Sequence, residues 1–270
     1  MLWWVIQSNI YNEENYEHLL ATLERCGISH SVHKAVPFIG VIEPEPGDLP
    51  DGANVIVMGS YSLARYARRR HWRPGAFLEN LDFCKQHIFW GDRMLNADAH
   101  IYPFGEIPFQ REPFFIRPTL DTKTYTGLVV DWGEYEKWRD SLRRLPETND
   151  PVNDPMSISV HTLADRTMVC RKKEIYSETR TWVIDGRVVT CSGFKMGTIP
   201  RYTSPDQVDQ HIIDFANECA QCWSPNRAYV LDVAETADGL KIGEVNNLNS
   251  AGWYRCDMQK LVMALEGMQP

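Results

Sequence analysis

Asp232, Glu244 and Asn246 are the residues of this chain whose types and spacing point most directly to chemistry. They lie in AYVLDVAETADGLKIGEVNNLN, two apolar runs joined through ETADG that read as a β-hairpin. Side chains alternate faces along a strand, so a turn centred on Asp238 sets Asp232 opposite Glu244 and places Asn246 on the same face. Two carboxylates and a carboxamide are hard oxygen donors. They suit Mg²⁺, which takes one or two carboxylates and leaves its other positions to water and phosphate oxygens. The competing reading is a half-wet sheet with both acids facing solvent. Against it, Asp232 interrupts an apolar strand, where an acid is costly unless paired or bound to a cation.

Other reactive side chains point less sharply. RYARRRHWR carries Arg65, Arg68, Arg69, Arg70 and Arg73, which reads as a solvated helix face and terminus or as an anion-binding patch for an acidic acceptor. Cys219 and Cys222, in ECAQC, have no second pair at zinc-ribbon spacing and read as small buried apolar side chains. Neither GxGxxG nor a P-loop occurs in the first third. Ser-His-Asp, Cys-His and paired-carboxylate hydrolase arrangements are likewise not found.

The elements that must position these groups read as mixed α and β. Charged residues at 24% and apolar residues at 43% are ordinary globular values and exclude wholesale disorder. A net charge of −8 favours solubility and disfavours nucleic acid as main partner. No apolar run reaches transmembrane length, and MLWWVIQSNIYNEEN lacks a basic n-region, so neither a membrane span nor a signal peptide is expected. Seven scattered cysteines fit a reducing cytoplasm.

LWWVIQ predicts a buried strand, followed by a helix in which Tyr16, Leu19, Leu20 and Leu23 share a face and Gly27 marks the stop. Strands are predicted at His30 to Val36 and Ala53 to Met58, then a helix capped by Ser60. This makes residues 1 to about 75 an α/β unit. Residues 76 to 112 read as an irregular connector. FFI and LVVD predict strands flanking a polar loop, and WGEYEKWRDSLRRL a helix with an apolar stripe of Trp132, Tyr135, Trp138 and Leu142. PETNDPVNDP reads as an exposed loop. TMVCR, TRTWVID and RVVTCSGFK predict consecutive antiparallel strands, the last two turning at Asp185-Gly186. A helix from about Pro205 to Cys222, the hairpin, and a last helix from about Cys256 to Leu265 complete the chain.

A strand with Asp, a hairpin, then E-x-N and a small-residue loop, here VLDVAETADGLKIGEVNNLNSAG, resembles the C-terminal end of ATP-grasp domains. Upstream, FFIRPTLDTKTYTG resembles the family's lysine-proline strand and closing phosphate loop, VCRKKEI its adenine hinge, and Glu178 with Arg180 its acid-and-arginine strand. The resemblance covers roughly residues 83 to 265 and is nearest to small divergent members whose loop reads Arg-Pro followed by Lys. It implies an α+β ATP-grasp fold, two subdomains that grip ATP, after a small N-terminal α/β domain. The implied boundaries are 1–80, 81–172 and 173–270.

The resemblance further implies that Asp232, Glu244 and Asn246 hold magnesium against the phosphates. It implies that Arg117, in place of the usual lysine, anchors phosphate, and that Lys123 closes over the γ-phosphate with a loop ending at Gly127. Lys172, Lys173, Glu174 and Ile175 would line the hinge, with Glu174 toward the ribose and one of the two lysines toward the phosphates. Arg180 would stabilise the transferring phosphoryl group or bind the acid substrate, the alternative being a Glu178–Arg180 ion pair; Lys195 would face the acceptor. The implied reaction is amide or peptide ligation: ATP phosphorylates a carboxylate and an amine attacks the acylphosphate. The partners would be small-molecule or peptide acids and amines, and a homodimer is possible in this scheme. A kinase acting on a hydroxyl and a non-catalytic nucleotide-binding module are the two alternatives.

Overall fold

The computed structural model describes residues 2–9, 14–36, 40–79, 81–121, 124–144 and 161–268. Met1–Glu79 together with Ile175–Pro270 make one compact unit, and Asn80–Glu174 a second. The first and last of the three segments expected from the sequence thus pack as one body.

In the first unit, β1 (Trp3–Gln7), α1 (Glu14–Arg25), β2 (His30–Val36), β3 (Val41–Glu43), β4 (Asn54–Met58), α2 (Tyr61–Arg69) and β5 (Arg73–Gly75) follow in chain order. They build a sheet of order β3-β2-β1-β4-β5, parallel except for the β3 edge. Its central strands are apolar on both faces, as parallel strands covered on both sides must be. Val5, Val55 and Val57 pack with Leu63 and Tyr66 of α2, whereas Trp4, Ile6, Ile56 and Met58 face the opposite way. Gly27, at φ 64°, follows α1 in the left-handed conformation its stop requires. Ser60 stands at the N-cap of α2, but its hydroxyl does not cap the helix. It donates to Gln7 Oε1 at 2.8 Å instead.

The second unit holds α3 (Phe83–Trp90), β6 (His100–Pro103), β7 (Phe114–Pro118), β8 (Leu128–Val130), α4 (Trp132–Arg143) and β9 (Arg166–Arg171), with an antiparallel sheet of order β6-β9-β7-β8. A capping box starts α4: Glu134 N–H donates to Asp131 at 2.8 Å and Asp131 N–H to Glu134 at 2.9 Å. The predicted stripe of Trp132, Tyr135, Trp138 and Leu142 covers Phe104, Phe114 and Ile116. Two expectations are corrected in this unit. Residues 76–112 are not an irregular connector, because they contain α3 and β6. Phe83 and Trp90 of α3 are buried while Ile88 and Phe89 are exposed, so no clean periodicity betrays the helix. TMVCR does not continue into the TRTWVID sheet; as β9 it pairs with β6 and β7. PETNDPVNDP lies outside the described residues.

Returning to the first unit, the chain adds β10 (Ser177–Ile184), β11 (Arg187–Met196), β12 (Ile199–Pro200), α5 (Gln210–Cys222), β13 (Ala228–Thr236), β14 (Gly239–Asn247) and α6 (Met258–Glu266). The sheet is wholly antiparallel, in the order β12-β11-β10-β13-β14. Asp185 (φ 46°) and Gly186 (φ 74°) both occupy the left-handed region, the requirement of a tight two-residue hairpin turn. Trp182, Ile184 and Val230 of this sheet join Trp4, Ile6 and Leu23 of the N-terminal segment and Leu261 and Leu265 of α6 in one core. Cys219 is buried as expected, but Cys222 is exposed, and none of the seven cysteines, all among the described residues, is in a disulfide.

Candidate functional site

The β13–β14 hairpin sets the acids by a route the sequence conceals. Thr236 pairs with Gly239, so the turn consists of Ala237 and Asp238 and is not centred on Asp238. That register alone would set Asp232 opposite Gly243. A bulge between Asp232 and Val233 shifts the pairing by one residue and restores Asp232 opposite Glu244. Glu244 and Asn246 are two apart and share its face. Asn246 Nδ2 donates to Asp232 Oδ2 at 3.4 Å.

Asp232 is only 2% exposed, which rules out the solvent-facing alternative. Burial pushes its carboxyl above the usual carboxylate range, the Arg180 guanidinium opposes that rise, and the nearby carboxylates of Glu244 and Glu178 add to it. Arg180, on the neighbouring strand β10, grips it with two parallel bonds, Nε to Oδ1 and Nη2 to Oδ2, both 2.8 Å. Arg180 is in turn held more firmly as a cation by that carboxylate. The Glu178–Arg180 pair is therefore not the one formed. Glu178 pairs with Lys195 of β11 at 2.8 Å, so the face carries two cross-strand ion pairs side by side.

Three asparagines after Glu244 divide the work. Asn247 accepts from Glu79 N–H at 2.8 Å and donates to Glu79 O at 2.9 Å. Asn249 accepts from Phe77 N–H at 2.7 Å and donates to Val57 O at 2.6 Å. These two tie the loop after β14 to the N-terminal sheet and to residues 77–79. Sequence reasoning passed over both, although a run of asparagines leaving a buried strand, NNLN, is a signal for backbone-binding amides.

In the second unit, Arg117 sits near the end of β7, across from Met168. Gly127 packs against this strand so closely that a Cβ there would lie 2.6 Å from Phe115 Cζ. Lys123 lies outside the described residues. Lys173 forms an ion pair with Asp98, which Arg171 also approaches at 3.4 Å. Lys172 and Glu174 are exposed, Ile175 is half-buried, and all follow the end of β9 in irregular backbone. Of the arginine run, Arg69 donates to Gly40 O, and Arg70 donates to Leu49 O, pairs with Asp51 at 2.7 Å and lies over Tyr66 and Trp72. These two arginines serve the fold of the loop preceding β4. Arg73 belongs to β5 and not to α2.

A five-stranded antiparallel sheet with an acid hairpin, a separate four-stranded unit and a parallel N-terminal sheet is the plan that the ATP-grasp resemblance implies. A family model, that of an ATP-grasp domain of clade family 3, matches residues 31–265. The chain belongs to that ATP-grasp family. Solved ATP-grasp structures share its fold. The ATP-grasp ligase PsnB complexed with a minimal precursor superposes with a TM-score of 0.57 at 14% identity, over 98% of both chains. D-alanine–D-alanine ligase from Bacillus anthracis gives 0.57 at 11% identity, over 98% of this chain and 96% of that one. A RimK domain ATP-grasp protein from Sphaerobacter thermophilus gives 0.53 at 13%, over 92% of each. A sequence search of curated proteins finds no match.

The hard oxygens of Asp232, Glu244 and Asn246 fit a magnesium ion: they crowd negative charge around a buried carboxylate, and Mg²⁺ needs few protein ligands. Among the described residues no three His, Cys, Asp or Glu side chains gather as a metal-holding group, so the amide of Asn246 is part of that fit. No helix among the described residues is long and apolar enough to cross a membrane.

Proposed function

We propose that this ATP-grasp protein is a Mg-ATP-dependent carboxylate–amine ligase that joins a small-molecule or peptide acid to an amine. The observation that carries the reading is the pairing of Asp232 with Glu244, with Asn246 on the same face, in a chain of this family. PsnB and D-alanine–D-alanine ligase, whose fold it shares, are both named as ligases, which supports the same reaction class. Bound Mg-ATP supplies the phosphoryl group that converts a carboxylate into an acylphosphate, and the charge neutralisation that this transfer needs.

The chain's own part is binding and position. Asp232, Glu244 and Asn246 hold the metal. Arg117 and Lys123 neutralise phosphate, the arginine as a planar fork and the lysine as a mobile point charge. The 172–175 segment takes the adenosine, with Glu174 toward the ribose hydroxyls and a backbone that reads the base. Lys195 contributes positive charge toward the acceptor, balanced by Glu178. No side-chain nucleophile is needed for this chemistry.

The test is to follow ADP and inorganic phosphate with Mg-ATP and a panel of amino acids and short peptides, offered singly and in pairs. Phosphate release only with an acid and an amine together is the expected result; label retained on a hydroxyl would indicate a kinase instead. Glu244→Gln should lower Mg-ATP affinity and turnover, and an unchanged variant would remove the metal assignment.

A further inference from the structure

Arg180 is engaged on every side. Three of its bonds are accounted for: two to Asp232 at 2.8 Å and one from Nη1 to Gly252 O at 3.2 Å. Its guanidinium lies 4.7 Å from the Tyr254 ring centre and 5.3 Å from that of Phe194. The side chain is 8% exposed. A cation that follows a transferring phosphoryl group must aim its donors at the place where charge develops. Arg180 aims its donors at a carboxylate and a carbonyl.

Tyr254 is built to keep it so. It is one of three non-glycine residues among the described ones with positive φ, at 44°. For a tyrosine this conformation persists only when the surroundings hold it, and such strain gathers at functional sites. The surroundings are visible. Its ring stacks on Phe194 at 5.2 Å and 9°, and on Tyr202 at 5.1 Å and 26°. Tyr202 is brought there by the next residue: Thr203 N–H donates to Gly193 O at 3.0 Å, and Gly193 N–H donates to Thr203 Oγ1 at 3.1 Å. The same turn that carries Tyr254 presents the Gly252 carbonyl to Arg180.

We propose that Arg180 is a positioning residue and Tyr254 its clamp: together they fix the orientation of Asp232 toward the divalent cation, and Arg180 does not touch the transferring group. The inference rests on the reading that Asp232, Glu244 and Asn246 hold magnesium. A bidentate fork occupies one side of a carboxylate and leaves its other lone pairs available. Fixing a ligand's orientation from behind is what the partners of metal ligands do, and their loss costs about 10–100-fold in metal affinity or activity. The aromatic cover keeps water off the guanidinium, so that its attraction to Asp232 is not screened.

The test uses Mn²⁺ as the probe, titrated into the full-length protein with a non-hydrolysable ATP analogue and followed by the electron paramagnetic resonance of free Mn²⁺. Arg180→Lys keeps the charge and loses the fork; Tyr254→Leu removes the clamp; Tyr254→Phe retains the ring. The first two should weaken Mn²⁺ binding by about 10–100-fold. Tyr254→Phe should bind Mn²⁺ as the wild type does. Once ADP formation is assayed, excess metal should restore kcat in Arg180→Lys, giving a rise in the metal KM alone.

Unchanged Mn²⁺ affinity in Arg180→Lys, with kcat lost at every metal concentration, would make Arg180 a contact of the reacting phosphoryl group. A lower thermal midpoint with unchanged Mn²⁺ affinity would reduce the pair to a structural one. Either outcome overturns the proposal. Glu244→Gln separates it from the reading beneath it. If that variant weakens Mn²⁺ and Arg180→Lys does not, only the positioning role falls; if Glu244→Gln leaves Mn²⁺ binding intact, the metal assignment falls and takes the positioning role with it.

Discussion

Replacing Arg180 by Met keeps most of the side-chain volume and removes the charge. The variant strands a carboxylate that is 2% exposed, forfeits two charge-assisted bonds at 2.8 Å and leaves the Gly252 carbonyl without that donor. Breaking one partner out of a buried pair costs about 3–5 kcal/mol, because the remaining charge stays buried. The unit concerned, Met1–Glu79 with Ile175–Pro270, is of a size at which 1 kcal/mol moves a melting midpoint by about 2–4 °C, so the fall should be about 6–20 °C.

The pH dependence has a definite sign. Burial already raises the Asp232 carboxyl and Arg180 is what lowers it, so the variant raises it further. An acid whose folded value lies above its unfolded one favours the folded state when protonated. That stability is present at low pH and is lost as pH climbs from the unfolded value through the folded one. Melting measured by fluorescence without nucleotide, from pH 5 to pH 8, should therefore show the Arg180→Met penalty growing with pH, and Arg180→Met/Asp232→Asn should recover most of the loss. A single variant that melts within about 2 °C of wild type at pH 8, or a double variant no better than the single, would refute the account.

Asn249→Ala orphans Phe77 N–H and Val57 O, and at about 1–3 kcal/mol for a buried group left unsatisfied it should be among the most destabilising single changes in the loop after β14, as read by urea unfolding. Gly127→Ala forces a Cβ to within 2.6 Å of the Phe115 ring; overpacking should cost about 1–3 kcal/mol, and Phe115→Leu in the same chain should recover part of it. Burial pushes the Cys191 thiol up to about 11 and that of Cys256 up to about 12. Since the thiolate is the nucleophile, alkylation of the native protein at pH 8 followed by peptide mapping should mark exposed Cys222 and spare these two. The same raised thiols stabilise the fold below the unfolded value and lose that contribution as pH rises through it, so unfolding should become easier above about pH 9.

What the sequence determined by itself is local. Alternation, turn chemistry and stop signals mark β1, α1, the Asp185-Gly186 hairpin and the β13–β14 hairpin, because those rules act between residues a few places apart. The face shared by Glu244 and Asn246 follows from strand geometry alone. The pairing of Asp232 with Glu244 was reached through a turn placed one residue off, and holds because a bulge that no spacing rule announces makes up the difference. Tertiary structure decided the partners. Arg180 meets Asp232, and not Glu178, because β10 and β13 are neighbours in the sheet although 52 residues apart in the chain. Asn249 reaches Val57 across 192 residues, which makes the two ends of the chain one body. TMVCR, a plain strand by composition, was assigned by packing to a different sheet from the strand that follows it. A side chain's period records which face it takes; only the order of strands decides what stands on that face beside it.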